Sequence, residues 1–342
     1  MKWDKEKANL VRRVLRNSVD MEYAFARLRL LFDNKTWTEG MLKGIFLRHN
    51  LGPVRSQVGA DLRTRMADVV PVSAPTTPSQ HFPRSTTDKV YIVTSDQHAP
   101  YHDEGLHQAL ADFANDLRPD GWVINGDYLD LLELSRHSAQ SLLKLENRRL
   151  VTTFDVGNRV LDLMRDAAGP QCTDWRFIDG NHEDRIARWM GAGDNGVFKG
   201  DPLLSIEGRL KFQERGIKYF IGWPDAGTYL GKLWVTHGRF ITKNHAQKHL
   251  DHYRHSVMYG HTHAFQMATC PCLNGQQIAC GTGHMADPDS DAMDYAAKPN
   301  NWTQGFGVVY VRPDGSFTIQ PILAWRGQFT YANRTYGKRR AK

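Results

Sequence analysis

Asp96, His98, Asp127, Asn181, His237, His261 and His263 are all metal-ligand residue types, and each stands just after a short apolar run. Val90 to Val93 runs into Ser95-Asp96-Gln97-His98, Trp122 to Ile124 into Asn125-Gly126-Asp127, and Phe177-Ile178 into Asp179-Gly180-Asn181-His182. Leu233 to Val235 leads to Thr236-His237-Gly238, and Val257 to Tyr259 leads to Gly260-His261-Thr262-His263. The runs are strand-length and rich in Val, Ile and aromatic residues. In α/β sheets, ligands collect where strands give way to loops at their carboxyl ends. Carboxylate, amide and imidazole donors without thiolate suit Mn, Fe, Zn or Ni rather than a structural zinc.

The order and spacing of these elements resemble the calcineurin-like metallophosphoesterase superfamily. The matching stretches are Asp96-Gln97-His98, Gly126-Asp127-Tyr128-Leu129-Asp130, Gly180-Asn181-His182-Glu183, the lone His237 and Gly260-His261-Thr262-His263, spread over roughly residues 89–312. The resemblance implies a four-layer α/β/β/α sandwich and two divalent cations, with manganese the first choice and Fe, Zn or Ni the others. It implies that Asp96, His98 and His263 hold one metal, that Asn181, His237 and His261 hold the other, and that Asp127 bridges them. A metal-activated hydroxide would then attack phosphorus. His182 would protonate the leaving oxygen or stabilise charge on it, with Asp130 orienting the ring; Asp130 as a plain helix cap is the alternative. Where protein Ser/Thr phosphatases of the superfamily carry Arg-Gly, Leu131-Leu132 follow Asp130. The first and second motifs also lack the metal-bound tyrosine of purple acid phosphatases. The stretches Ser95 to Asp103 and Gly180 to Arg185 look more like phosphoesterases of phage and bacterial genomes, some of them DNA-directed.

Helical stretches at 104–117 and 142–166 lie between the runs, and alternating strand and helix implies an α/β sandwich. Residues 71–88 place four prolines among Ser and Thr, which predicts a linker. Ahead of it, residues 1–70 show apolar positions at helical spacing and carry 14 Lys/Arg against 8 Asp/Glu. The expectation is a small basic helical domain of helix-turn-helix outline. Residues 89–325 form the catalytic domain in this reading. Residues 326–342 form a basic tail in which Phe329, Tyr331 and Tyr336 alternate with Arg334, Lys338, Arg339 and Arg340. Such interleaving suits single-stranded nucleic acid, or else a docked or disordered tail.

The net charge of +7 therefore sits at the two ends, which suggests a polyanionic partner, nucleic acid or a nucleotide. No stretch approaches the roughly 20 apolar residues of a membrane span, and Met1 to Leu10 lacks the apolar core of a secretory signal, so a cytoplasmic protein is expected. Arg136, His137 and Arg185 are candidates for phosphate contact, and His102 and Asp103 flank the first motif. The four cysteines are too few for a disulfide scaffold; Cys270, Cys272 and Cys280 lack a fourth thiolate at a zinc spacing, with His284 the nearest candidate, and predict buried free thiols. Three functions are consistent with these features: a phosphodiesterase or nuclease, a phosphomonoesterase acting on a small metabolite, and a non-enzymatic nucleic-acid-binding scaffold. The last predicts lost ligands, whereas every expected ligand is present. Oligomeric state is not legible.

Overall fold

A computed structural model of the chain describes residues 81–83, 87–135, 149–201, 204–272, 275–290, 293 and 300–338. The helical segment expected over residues 1–70, most of the expected linker, and Arg136 and His137 lie outside the described residues.

Two sheets face each other. The first has the order β11-β10-β1-β2-β3-β4, from β1 (Lys89–Thr94), β2 (Gly121–Asn125), β3 (Asp174–Ile178), β4 (Ile217–Phe220), β10 (Gly305–Val311) and β11 (Phe317–Leu323). Strands β1 to β4 are parallel, and β10 and β11 add an antiparallel edge. The second sheet has the order β5-β6-β7-β9-β8, from β5 (Gly227–Leu230), β6 (Leu233–Thr236), β7 (Val257–Tyr259), β8 (Phe265–Cys272) and β9 (Gly275–Thr282).

The period-two alternation of strand side chains decides the layering. Along β1, Tyr91 and Val93 join Val123, Ile178 and Val309 in a cluster that meets Leu230, Leu233, Val235 and Met258 of the second sheet. Val90 and Ile92 face the other way, with Trp122, Ile124, Trp175, Phe177 and Val308, onto helices α1 (Glu104–Leu117) and α2 (Leu150–Ala168). Both faces of β1 to β3 are covered, so these strands read as continuous apolar runs. Beyond the second sheet, Val257, Tyr259 and Ala279 pack on Ala246 and Leu250 of a later helix, His245–Tyr253. The layers are thus helix, sheet, sheet, helix, the α/β/β/α sandwich expected from the sequence. Among the described residues no helix is long and apolar enough to cross a membrane.

The end of the chain differs from a free tail. β12 (Phe329–Tyr331) and β13 (Arg334–Tyr336) pair as an antiparallel hairpin. Phe329, Tyr331 and Tyr336 surround Phe113 of α1, with ring centroids 5.6, 5.0 and 5.3 Å away. Buried Asp116 accepts a hydrogen bond from Tyr336 Oη at 2.7 Å and pairs with Arg334 at 2.5 Å. These aromatic rings are spent on the core and are not presented for stacking on bases. Residues 339–342 lie outside the described residues.

Candidate metal centre

The loops after β1 and β2 run side by side and extend the parallel ladder beyond the strands. Asp96 N donates to Gly126 O at 3.1 Å, His98 N to Asp127 O at 3.0 Å, Ala99 N to Tyr128 O at 2.8 Å and Asp130 N to Ala99 O at 2.9 Å. Within this ribbon the chain kinks at Asp96, His98 and Asp127, each with positive φ (53°, 52° and 48°); His261 and His263 on the opposing loop share the feature (66° and 56°). Left-handed backbone at non-glycine residues costs on the order of 1–3 kcal/mol each and persists where surrounding contacts enforce it. The kinks turn the side chains into one buried space between the two sheets.

There the sequence-selected residues meet. Asp96, His98, Asp127 and His263 present donor atoms within 4.8 Å of one another; so do Asp127, His237 and His261. Asp127 belongs to both groups. A third group joins His98, Asp130 and His182. Asn181 places Oδ1 3.2 Å from His237 Nε2, which lies 3.3 Å from Asp127 Oδ2 and 4.0 Å from Asp96 Oδ1. His98 Nε2 and His263 Nε2 are only 3.0 Å apart. Two imidazole nitrogens that close, beside carboxylates and out of water, need a proton or a cation between them.

Supporting contacts set which nitrogen faces inward. His237 Nδ1 donates to the Asn125 carbonyl at 2.8 Å, which turns Nε2 toward Asp127 and Asn181. His98 Nδ1 lies 3.3 Å from Asp130 Oδ1, leaving Nε2 to the shared space. Such outer partners fix the tautomer of metal-binding histidines. Asp96 accepts from Ser95 Oγ at 2.5 Å and from the His261 backbone N–H at 3.0 and 3.1 Å. The donor set and its outer partners therefore fit divalent cations.

Charges in the cluster are strongly perturbed. Burial would raise the Asp96 carboxyl, but His237 and His263 outweigh it and hold it down to about 2. Burial would lower His237, but Asp127 and Asp96 drive it up to about 10. His261 falls to about 4, through burial and the neighbouring His237. In the metal-free protein at neutral pH, His237 therefore holds a proton where a cation would sit. Metal uptake should displace it and tighten as pH rises from 6 to 9. Calorimetric titration with Zn in two buffers of different ionisation enthalpy should report release of about one proton or more per protein at pH 7; buffer-independent heats would contradict this.

Two glycines let the loops approach. A Cβ on Gly260 would lie 1.7 Å from Ser95 Oγ and 2.5 Å from Asp96 Oδ2; one on Gly180 would lie 2.2 Å from Asp127 Oδ1. Gly260→Ala should therefore cost about 1–3 kcal/mol of stability by overpacking. It should also displace Asp96 and lower bound metal, as read by thermal melting and elemental analysis. Unchanged metal content would show that the loop can yield.

The remaining sequence candidates separate clearly. Asp130 and His182 lie at the cluster: His182 N donates to Asp127 Oδ1 at 2.9 Å, and its Nε2 is 3.7 Å from Asp127 Oδ2. Asp130 caps no helix; its carboxylate faces His98 and His182. Arg185, in the first turn of helix α3 (Asp184–Met190), reaches the same corner. Asp103 instead caps α1, accepting from Leu106 N at 3.0 Å, and takes a hydrogen bond from Gln304. His102 is buried against His107.

Sequence reasoning assigned no role to Glu183. Its buried carboxylate accepts N–H groups of Asp127 (2.9 Å), Gly180 (3.0 Å) and Leu129 (2.9 Å), tying the second loop to the third. It also missed Trp302 and Trp223, whose rings lie 4.6 Å from His263 and 5.8 Å from His261.

No protein-family model matches the chain, and no curated protein matches it. Solved structures do overlap it. One is a single mutant of Vps29 from Entamoeba histolytica, at 13% identity and TM-score 0.31, covering 69% of this chain and 99% of the other. Another is Vacuolar Protein Sorting 29 from Cryptosporidium parvum, at 10% and 0.36, covering 74% and 100%. A third is purple acid phosphatase PPD1 from yellow lupin seeds, at 12% and 0.37, covering 73% and 54%.

Proposed function

We propose that this chain is a dinuclear-metal-dependent phosphoesterase of the phage and bacterial kind, hydrolysing phosphodiester bonds of nucleic acid or a nucleotide in the cytoplasm. The observation that supports it most is that one buried carboxylate, Asp127, is common to two groups of ligand-type side chains. A carboxylate has two oxygens and a charge that offsets two neighbouring cations, so it suits a bridging role. Asp96, His98 and His263 would hold one ion and Asn181, His237 and His261 the other, with manganese first and Fe, Zn or Ni as alternatives. Bound cations supply neutralisation of phosphoryl charge and a water acidic enough to serve as nucleophile at neutral pH.

The chain's own groups do the rest. His182, beside Asp127 and held at Nδ1 by Asp130, is placed to protonate the leaving oxygen or stabilise charge on it once its Nε2 has itself taken up a proton. Arg185 provides cationic charge at the same corner; Arg136 and His137 remain sequence-based proposals for phosphate contact. The basic ends of a chain of net charge +7 favour a polyanionic substrate.

The test is a metal-by-substrate screen pairing Mn, Ni, Fe and Zn with an aryl phosphodiester, an aryl phosphomonoester and single- and double-stranded DNA. Diester or DNA cleavage that requires added metal, and binding that weakens steeply with salt, are expected. Exclusive monoester turnover without salt dependence would assign a small phosphorylated metabolite. DNA binding without turnover under any metal would leave a scaffold.

A further inference from the structure

Arg185 and His182 sit one helical turn apart and share a partner. His182 Nδ1 lies 2.6 Å from the Asp130 carbonyl oxygen. A carbonyl only accepts, so Nδ1 carries the ring hydrogen and Nε2 presents a lone pair. Arg185 Nη2 lies 2.8 Å from that Nε2 and donates to it, while Arg185 Nη1 donates to the same Asp130 oxygen at 2.6 Å. Arg188, a turn further on, is paired with Asp184 at 2.7 Å, whereas Arg185 has no carboxylate partner among the described residues. Its guanidinium is half-buried, aimed by two neutral acceptors, and its contact atom on His182 lies 3.7 Å from Asp127 Oδ2.

This arrangement bears on the second motif, where Leu131-Leu132 leave no arginine after Asp130. A cation from the first turn of α3 stands against the Asp130 backbone. It also occupies the one His182 nitrogen that could meet a leaving oxygen. Both cannot use Nε2 at once: while Arg185 donates to it, the imidazole neither donates to nor accepts from substrate.

We propose that Arg185 is the residue that grips the phosphoryl oxygens, that His182 Nε2 aims it before substrate arrives, and that phosphate binding releases His182 by drawing the guanidinium away. Charge-assisted bonds from a planar fork to phosphate are stronger than a bond to neutral imidazole, which supplies the direction of the exchange. The inference rests on the phosphoesterase reading. It differs in making Arg185 and His182 alternate partners rather than independent contacts.

Two measurements test it. The first uses the full chain loaded with Zn, labelled with ¹⁵N histidine, and inorganic phosphate as the probe. His182→Gln identifies the His182 signal. Saturating phosphate should move the His182 Nε2 resonance to the position it holds in Arg185→Met without phosphate, and should leave that resonance in Arg185→Met unmoved. The second is steady-state hydrolysis of an aryl phosphodiester. Arg185→Met should raise KM about tenfold or more while lowering kcat by a smaller factor, as expected when a binding contact is removed. Arg185→Lys, which keeps a cation, should recover part of the KM. A His182 signal indifferent to phosphate in the unaltered protein overturns the proposal, as does an unchanged KM with a collapsed kcat. The resonance measurement needs no turnover, so it decides the Arg185–His182 exchange even where diester hydrolysis itself proves wrong.

Discussion

Asp127→Ala should lose both bound metal and hydrolysis, with turnover falling by about 10³ or more while the protein remains folded. The magnitude follows from what the carboxylate touches. Asp127 Oδ2 lies 3.3 Å from His237 Nε2, and Oδ1 accepts the His182 backbone N–H at 2.9 Å. It is the one side chain shared by the two ligand groups that contain Asp96 and His261. Removing it leaves each ion site short of a charged donor, and the several kcal/mol of transition-state stabilisation that metal ions supply goes with it; each 1.36 kcal/mol is a factor of ten. Asp127→Asn keeps the shape and an acceptor for His182 N but removes the charge. It should retain the melting temperature better than alanine and still lose metal. Elemental analysis after dialysis, alongside turnover of an aryl phosphodiester, reads both. Full metal stoichiometry with activity within tenfold of the parent would remove the bridging role.

Glu183→Ala should be the most destabilising single change near the site, at about 3–5 kcal/mol. Its carboxylate accepts three backbone N–H groups from two loops, and nothing polar would replace it. Each buried donor left unmet costs on the order of 1–3 kcal/mol, with partial relaxation keeping the sum below the simple total. At roughly 2–4 °C per kcal/mol for a domain of this size, melting should fall by about 10 °C. Burial and the nearby Asp127 push the Glu183 carboxyl up to about 7. The folded protein thus holds this proton more tightly than the unfolded chain. That contribution is full below about 4.5, the ordinary glutamate range, and fades as pH rises through 7. Glu183→Gln, which cannot ionise, should flatten this slope while costing less than alanine. A loss under about 1 kcal/mol for the alanine variant would mean the loops carry themselves.

Much of this arrangement was legible because it is local. Asp96, Asp127, Asn181, His237 and His261 each stand directly after an apolar run whose burial fixes the strand, so reading strand ends was enough to gather them. The helix read over 104–117 matches α1, whose Leu106, Leu110, Phe113 and Leu117 repeat on the buried face. Glu183 was not legible, because two of its three partners, Asp127 and Leu129, come from the preceding strand-end loop far back in the chain, and only tertiary placement makes a surface-type residue an anchor. The terminal hairpin carried a signal that the basic residues masked. Phe329 and Tyr331 alternate at period two, and Ala332-Asn333 turn with positive φ at both positions (46° and 63°), the pattern of a two-residue hairpin. Arg334 looked like a nucleic-acid contact because its partner, Asp116, lies over two hundred residues earlier in the chain.

The ligand-type residues are divided between the sheets: Asp96, His98, Asp127 and Asn181 leave the first, and His237, His261 and His263 leave the second. Beside the apolar seam around Val93 and Val235 and the direct hydrogen bonds from His237 to Asn125 and from His261 to Asp96, the proposed pair of ions would be a further rivet between one half of the sandwich and the other. Chelation would then act as a mechanical loosening as well as a loss of chemistry, opening the seam from the rim where the rivets sit and leaving its far edge closed.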